Sequence, residues 1–235
     1  MIRTVSANGL GGYAMPGISV RDHFRKVPEN SGGPRFCLGP LRTLAETTID
    51  PGCGFPMHAH RDFEIISYVC TGELTHADTL GNRGRLAAGD VQVMTSGTGI
   101  RHSEVNDGTQ PVRMYQFWIE PRTLGLAPDY VDLHQPAGGA TNALRVLVSN
   151  AGPARIDQDA ALLAGRVEAG CEIDHPLDRD RHTYVLAAAG RFRLGDVELR
   201  LGDGAEVGGT GMLQIAALED SDIVIVDLPR SSGPD

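Results

Sequence analysis

Residues 52–72 read Gly52-Cys53-Gly54-Phe55-Pro56-Met57-His58-Ala59-His60-Arg61-Asp62-Phe63-Glu64-Ile65-Ile66-Ser67-Tyr68-Val69-Cys70-Thr71-Gly72. His58 and His60 stand at i and i+2, which puts both side chains on one face of a β-strand. Two imidazoles so placed can reach one metal ion. Glu64 continues the same parity and is a candidate for that face. Residues 89–106 carry a second pair, His102 and Glu104, again at i and i+2. Two such strands converging inside a barrel would bring together three neutral imidazole nitrogens and one carboxylate oxygen. That donor set suits Fe(II), Mn, Ni, Cu or Zn and matches poorly the all-oxygen shells of Ca and Mg. A lone His-x-His is a weak signal; its co-occurrence with the second pair and the turn glycines carries the reading. His23, His76, His134, His175 and His182 have no partner at ligand spacing and are read as structural or solvated.

Outward from these segments the chain is punctuated by 30 Gly and 14 Pro. Between them lie apolar runs of strand length: 41–49, 63–69, 91–94, 112–119, 144–148, 183–186 and 223–228. Short strands between turn residues predict an all-β sandwich or barrel. The best helical candidate is 157–166, with Asp157 as N-cap. The same plan occurs twice: Tyr68–Leu74 followed by Gly89-Asp90 in the first half, and Leu186–Phe192 followed by Gly202-Asp203 in the second. This predicts two stacked β-barrels. The boundary is expected within Pro128–Thr141, a segment containing Pro136-Ala137-Gly138-Gly139-Ala140. Ungapped counting from Gly190 and Gly202 puts Pro176, Asp178, Ile215 and Ala217 where the first half has its donors, so the second barrel is expected to hold no metal. On the run 112–119, Val112, Met114, Gln116 and Trp118 share a face, and Gln116 is read either as lying near the metal cavity or as a core glutamine satisfied by backbone. Phe55, Met57 and Phe63 are candidates for the mouth of that cavity, with a place in the plain core as the first reading of each. Arg61 and Arg101, at odd parity, should point away.

At 41% hydrophobic and 22% charged, the 235-residue chain has the composition of a folded protein rather than a disordered one. Its length allows one large or two small domains. The 21 basic and 30 acidic residues give −9, a balance without the positive field that attracts phosphate backbones or anionic membranes. Nucleic-acid binding is therefore not expected. No apolar run approaches the roughly 18–20 residues of a spanning helix. The first residues lack the basic and apolar regions of a signal peptide. Cys37, Cys53, Cys70 and Cys171 form no Cys-x-x-Cys pair. A cytoplasmic protein with reduced thiols is the expectation.

At the residues quoted, the chain resembles the cupin superfamily and, within it, the pirin family. The first cupin motif reads Gly52, His58, His60, Glu64 and Gly72; the second reads Gly89, Thr95, Gly97, His102 and Asn106. Thr95 stands where general cupins have Pro, and four residues rather than two separate Gly97 from His102. Both departures are similar to pirins, as are 60–65, 78–84 and 97–104. The match covers roughly residues 39–121, and the second half is similar only in outline. The resemblance implies a bicupin with a metal-binding cupin domain over 1–133 and a degenerate cupin domain without a metal site over 134–235. It implies His58, His60, His102 and Glu104 as ligands of one divalent metal, Fe(II) first, with Mn, Ni, Cu or Zn as alternatives. Glu64 then becomes a residue that orients a histidine or lines the barrel, and Gln116 a pocket residue. The implied activity is that of a quercetin 2,3-dioxygenase, opening a flavonol or similar aromatic with O2, with Glu104 as catalytic base. The alternative is a metal-containing, redox-sensing regulator acting through a protein partner; a metal-dependent isomerase or sugar-binding cupin is weaker. A monomer is expected.

Overall fold

Strands form nearly all the regular structure of this computed structural model, which describes residues 1–25, 37–135 and 142–230. The chain divides into two compact units. One comprises Gly11–Gln135 and Ala154–Gln158; the other comprises Met1–Leu10 and the described parts of 136–153 and 159–235.

The first unit has a larger antiparallel sheet in the order Asp129–Leu133, Val91–Thr95, Glu64–Thr71, Val112–Ile119, Leu41–Ile49, Ile18–Arg25, Gly11–Met15. Its smaller sheet runs Gly54–His60, Ile100–Val105, Glu73–Asp78, Arg83–Ala87. Ile18, Val20, Ile49, Val69, Val112 and Met114 of the large sheet share one buried cluster with Leu74 and Leu86 of the small one. The two sheets therefore face each other across a single core. Val112–Ile119, at the centre, is buried along most of its length on both faces, as its near-continuous apolar sequence requires.

The second unit repeats the plan. Its larger sheet runs Ile2–Val5, Gly204–Val207, Arg181–Ala189, Ser221–Pro229, Ala161–Val167, Arg145–Ser149, and its smaller sheet Glu172–Leu177, Gly211–Ala217, Arg191–Leu194, Val197–Arg200. The equivalent turns Gly72 and Gly190 have φ of 77° and 71°, and an added Cβ would lie 2.6 Å from the Pro111 carbonyl oxygen or 2.2 Å from that of Asp220. Both therefore require glycine. The fold is all-β and bicupin.

Three expectations are corrected. The candidate helix at 157–166 is not formed: Ala161–Val167 is a strand with alternating burial, paired with Ser221–Asp227 along one edge and Arg145–Ser149 along the other. Asp157 caps nothing; its Oδ2 accepts the Thr123 amide. The units also differ from a single cut between 133 and 134. Ile2–Val5 pairs with Gly204–Val207 and so lies with the second unit, in the position that Asp129–Leu133 occupies in the first. Residues 154–158 lie with the first unit. The segment Pro136–Ala140 lies outside the described residues. No helix among the described residues is long and apolar enough to cross a membrane.

Asn106 fixes the end of the second motif. Its fully buried side chain donates to the Ile49 and Gln110 carbonyls at 2.8 Å each and accepts the Gly108 amide at 3.0 Å. Asn106→Ala strands those three backbone groups, each costing about 1–3 kcal/mol when buried without a partner. The expected loss is about 3 kcal/mol, read as a lower urea midpoint at unchanged slope.

Candidate metal centre

Three adjacent strands of the smaller sheet in the first unit supply the centre. Ile100–Val105 lies in the middle, with His102 opposite His58 on one neighbour and opposite Asp78 on the other. Along Ile100–Val105 burial alternates, so Ile100, His102 and Glu104 point inward while Arg101 is exposed. Gly54 sits where a Cβ would lie 2.4 Å from the Glu104 carbonyl oxygen, and the ladder shifts register between His102 and Glu104 at this point. Glycine is what lets the two backbones close up there.

His58, His60 and His102 come together with their ligand nitrogens within 4.8 Å of one another. Their ring centroids are 4.4 Å apart for His58 and His102, 4.8 Å for His58 and His60, and 5.0 Å for His60 and His102. His58 Nδ1 donates to the Pro56 carbonyl at 2.8 Å, which leaves Nε2 as the lone-pair nitrogen. His102 Nε2 is buried with no hydrogen-bond partner. A buried nitrogen in that state is costly unless something binds it. Three imidazoles with free lone pairs fit a divalent transition metal.

Glu104 is buried beside them. Its Oε1 accepts Gln116 Nε2 at 2.9 Å and, at 3.4 Å, the Ser67 hydroxyl. Among the described residues Oε2 has no hydrogen-bond partner. The Gln116 amide is oriented by Trp118, whose Nε1 donates to Gln116 Oε1 at 2.7 Å. Gln116 thus acts on the carboxylate. Glu64 is fully buried, and its oxygens accept the Thr95 hydroxyl at 2.6 Å and the Asp157 amide at 2.9 Å. The parity counted from His58 and His60 does not reach it, because Asp62, at φ 55°, interrupts the chain between two separate strands.

His58, His60 and Glu104 open on a cavity of about 560 Å³, walled by Phe55, Phe63, Trp118, Val20 and Ala45, with Tyr13, Asp22 and Arg25 also lining it. That size is typical of small-molecule sites. Phe55 and Phe63 line it, whereas Met57 is 42% exposed and does not.

Sequence spacing missed His76. It is fully buried, with Nδ1 3.4 Å from His102 Nδ1 and Nε2 3.2 Å from Asp78 Oδ2. The available signal was His76-x-Asp78, a third i, i+2 pair in a strand. The second unit also corrects the ungapped count. Its pairing register places His175 opposite Leu213, as His58 is opposite His102, and Ile215 opposite Leu194, as Glu104 is opposite His76. The positions equivalent to His58, His60, His102 and Glu104 are therefore His175, Leu177, Leu213 and Ile215.

Burial, then the neighbouring His58, pushes His60 down to about 4. Burial followed by His58, His60 and His76 pushes His102 down to about 2 against the pull of Asp78. Both are neutral at physiological pH and ready to ligate. Burial raises Glu104, opposed first by the Gln116 hydrogen bond. Between pH 6.5 and about 4 an unfolded chain takes up a proton that folded His60 refuses, so stability is lost as pH falls through that window. Glu104, shifted the other way, opposes this, so the check is a difference. In urea titrations of metal-free protein, His60→Gln should lose less stability than wild type from pH 6.5 to 4.

Comparison with known proteins agrees with the geometry. A family model described as Pirin matches residues 20–119, and one described as quercetinase C-terminal cupin domain matches 146–228. A pirin-like protein of Caulobacter vibrioides is 41% identical over 193 residues, covering 80% of this chain and 83% of that one. A protein of Escherichia coli K12 named quercetin 2,3-dioxygenase is 30% identical over 190 residues, covering 80% and 82%. The crystal structure of the bacterial pirin YhhW from Escherichia coli, in complex with nickel(II), matches with a TM-score of 0.87 at 28% identity over 98% of this chain and 100% of that one. With its two cupin units and inward histidine pair, the chain belongs to the pirin family of cupins.

Proposed function

We propose that this chain is a metal-dependent dioxygenase of the pirin type, opening a flavonol or similar aromatic, with its metal held by His58, His60, His102 and Glu104. The observation that carries the reading is the three-histidine cluster, with an unpartnered buried nitrogen on His102, at an aromatic-walled cavity. The relatives named quercetin 2,3-dioxygenase and the nickel(II) complex of YhhW support it. Fe(II) is the first metal to test, with Mn, Ni, Cu and Zn as alternatives. On this reading the second unit holds no metal, since Leu177, Leu213 and Ile215 offer no donor.

A divalent metal held there would supply a Lewis-acid centre for a chelating hydroxyl–carbonyl pair, or for one substrate oxygen together with O2. The remaining work falls to side chains. Glu104 Oε2 takes the proton of the substrate hydroxyl. Burial makes this carboxylate a stronger base than a solvated one. Gln116 holds Oε1 and Trp118 holds Gln116, so the carboxylate can hand over one oxygen without losing its place. Deprotonation enriches the ring that O2 attacks. Phe55, Phe63 and Trp118 offer flat apolar surface to an aromatic substrate and keep water off it. Both atoms of O2 enter the product and one ring carbon leaves as carbon monoxide, so no external reductant is needed.

Separate loading with Fe(II), Mn(II), Ni(II) and Cu(II), followed by oxygen uptake and carbon monoxide release with quercetin, tests the reading. Glu104→Gln should lower turnover by about 10²–10⁴-fold, the usual worth of a general base, with a much smaller loss of metal. His102→Ala should lose both. No turnover with any metal, despite confirmed loading, would sink the reading and favour a redox-sensing regulator with a protein partner.

A further inference from the structure

The strand Glu73–Asp78 turns Leu74, His76 and Asp78 inward, and the proposed reaction uses neither His76 nor Asp78. Their hydrogen bonds nevertheless end on His102. Asp78 Oδ1 accepts the Leu80 and Asn82 amides at 2.9 and 3.0 Å. Asp78 Oδ2 accepts Asn82 Nδ2 at 3.0 Å and faces His76 Nε2 at 3.2 Å. The Leu80 and Asn82 amides and the Asn82 side chain donate whatever the tautomer of His76, and a carboxylate they hold ionised can only accept from it as well. The proton between Asp78 and His76 therefore sits on His76 Nε2. An imidazole that donates from Nε2 presents its other nitrogen, Nδ1, as the acceptor. It faces His102 Nδ1 at 3.4 Å, so His102 carries its own proton on Nδ1. Its Nε2, the buried atom with no partner, is left with a lone pair. The Tyr130 ring, stacked on His76 at 4.4 Å and 24°, holds the imidazole plane. Tyr130 is itself fixed, donating to Asp132 Oδ2 at 2.7 Å and accepting from Gln92 Nε2 at 3.1 Å.

We infer that Asp78 and His76 are positioning residues that set the tautomer of His102, so that its Nε2 lone pair is presented to the metal before the metal arrives. This rests on His102 being a ligand, and it adds two residues that neither the motif spacing nor the proposed chemistry assigns. The proton order follows from one carboxylate at the end of the chain, so changing that end reverses it. In Asp78→Asn the amide oxygen stays with the two backbone N–H groups, and its NH2 takes the place of Oδ2. His76 Nε2 must then accept, His76 Nδ1 donates to His102, and the His102 proton moves to Nε2. There it occupies the lone pair the metal needs. His76→Phe removes the chain and leaves His102 free to take either tautomer.

The test uses the full chain labelled with ¹⁵N-histidine, metal-free and with Zn(II), together with Zn(II) affinity from chelator competition. Wild-type His102 should be protonated on Nδ1 even without metal. Asp78→Asn should show the Nε2–H form and bind Zn(II) about 10–100-fold more weakly, the usual cost of losing a group that orients a metal-bound histidine. His76→Phe should lose less than Asp78→Asn. A purely structural role gives the reverse order, since Asp→Asn preserves shape and His→Phe does not preserve the hydrogen bonds. The inference is overturned by Nε2–H on wild-type His102, by wild-type affinity in Asp78→Asn, or by a larger loss in His76→Phe. If Asp78→Asn fails to fold, the wild-type tautomer and the His76→Phe spectrum decide alone, the latter expected to show mixed tautomers. None of these readouts uses turnover, so an inactive protein leaves the inference standing. Full Zn(II) binding by His102→Ala would remove the ligand assignment and, separately, this inference's purpose.

Discussion

The register of Ile100–Val105 between its two neighbours is the constraint on which the rest depends. In that register His102 is paired with His58 on one side and Asp78 on the other, and Glu104 with His76. Side chains alternate along a strand, so a slip of one residue would turn His102 and Glu104 outward together. The register is held from outside the site. Asn106 ties the end of this strand to Ile49 and Gln110, and the close approach at Gly54 admits the irregularity before Glu104. The turn glycines and the buried asparagine of the motif serve the metal site by fixing which residue meets which.

That placement produces an electrostatic arrangement suited to receiving a cation. Burial keeps His60 and His102 neutral, so their lone pairs need no deprotonation before binding. The same burial leaves His102 Nε2 unsolvated and unbonded in the free protein. A free-energy cost of that kind is removed when a ligand binds the folded state alone, which couples binding to stability. The Glu104 carboxylate is held through one oxygen: Oε1 accepts from Gln116 and Ser67.

The sequence was most legible where structure is local. His58 with His60, and His102 with Glu104, could be read because strand periodicity is two, and the strands 41–49 and 112–119 because their apolar runs match the buried centre of a sheet. It was least legible where pairing is between distant residues. The parity that put Glu64 on the face of His58 and His60 is reset by one residue at positive φ, Asp62, whereas its barrel-lining reading does not depend on that count. His76 was passed over because its partner His102 lies 26 residues away on another strand. Residues 157–166 looked helical because Ala and Leu favour helices in isolation, whereas sheet partners on both sides decide the matter. The first strand belongs with the second unit through its ladder to 204–207, a pairing that no spacing near residue 133 records.

The second unit shows what the scaffold contributes without the chemistry. Its smaller sheet has the same strand order, and its inner face the same positions. His175 keeps the place of His58, but Leu213 stands for His102 and Ile215 for Glu104, both packed in an apolar cluster with Phe192 and Leu194. Leu194 is itself the equivalent of His76, because each lies opposite the residue in the Glu104 position. His102 and the His76 beside it are thus replaced together. A lone histidine at the Leu213 position would face Leu194, with no acceptor to hold its proton away from the interior. A barrel of this kind gains a metal site through a connected set of polar residues, because each buried member needs the next to satisfy it.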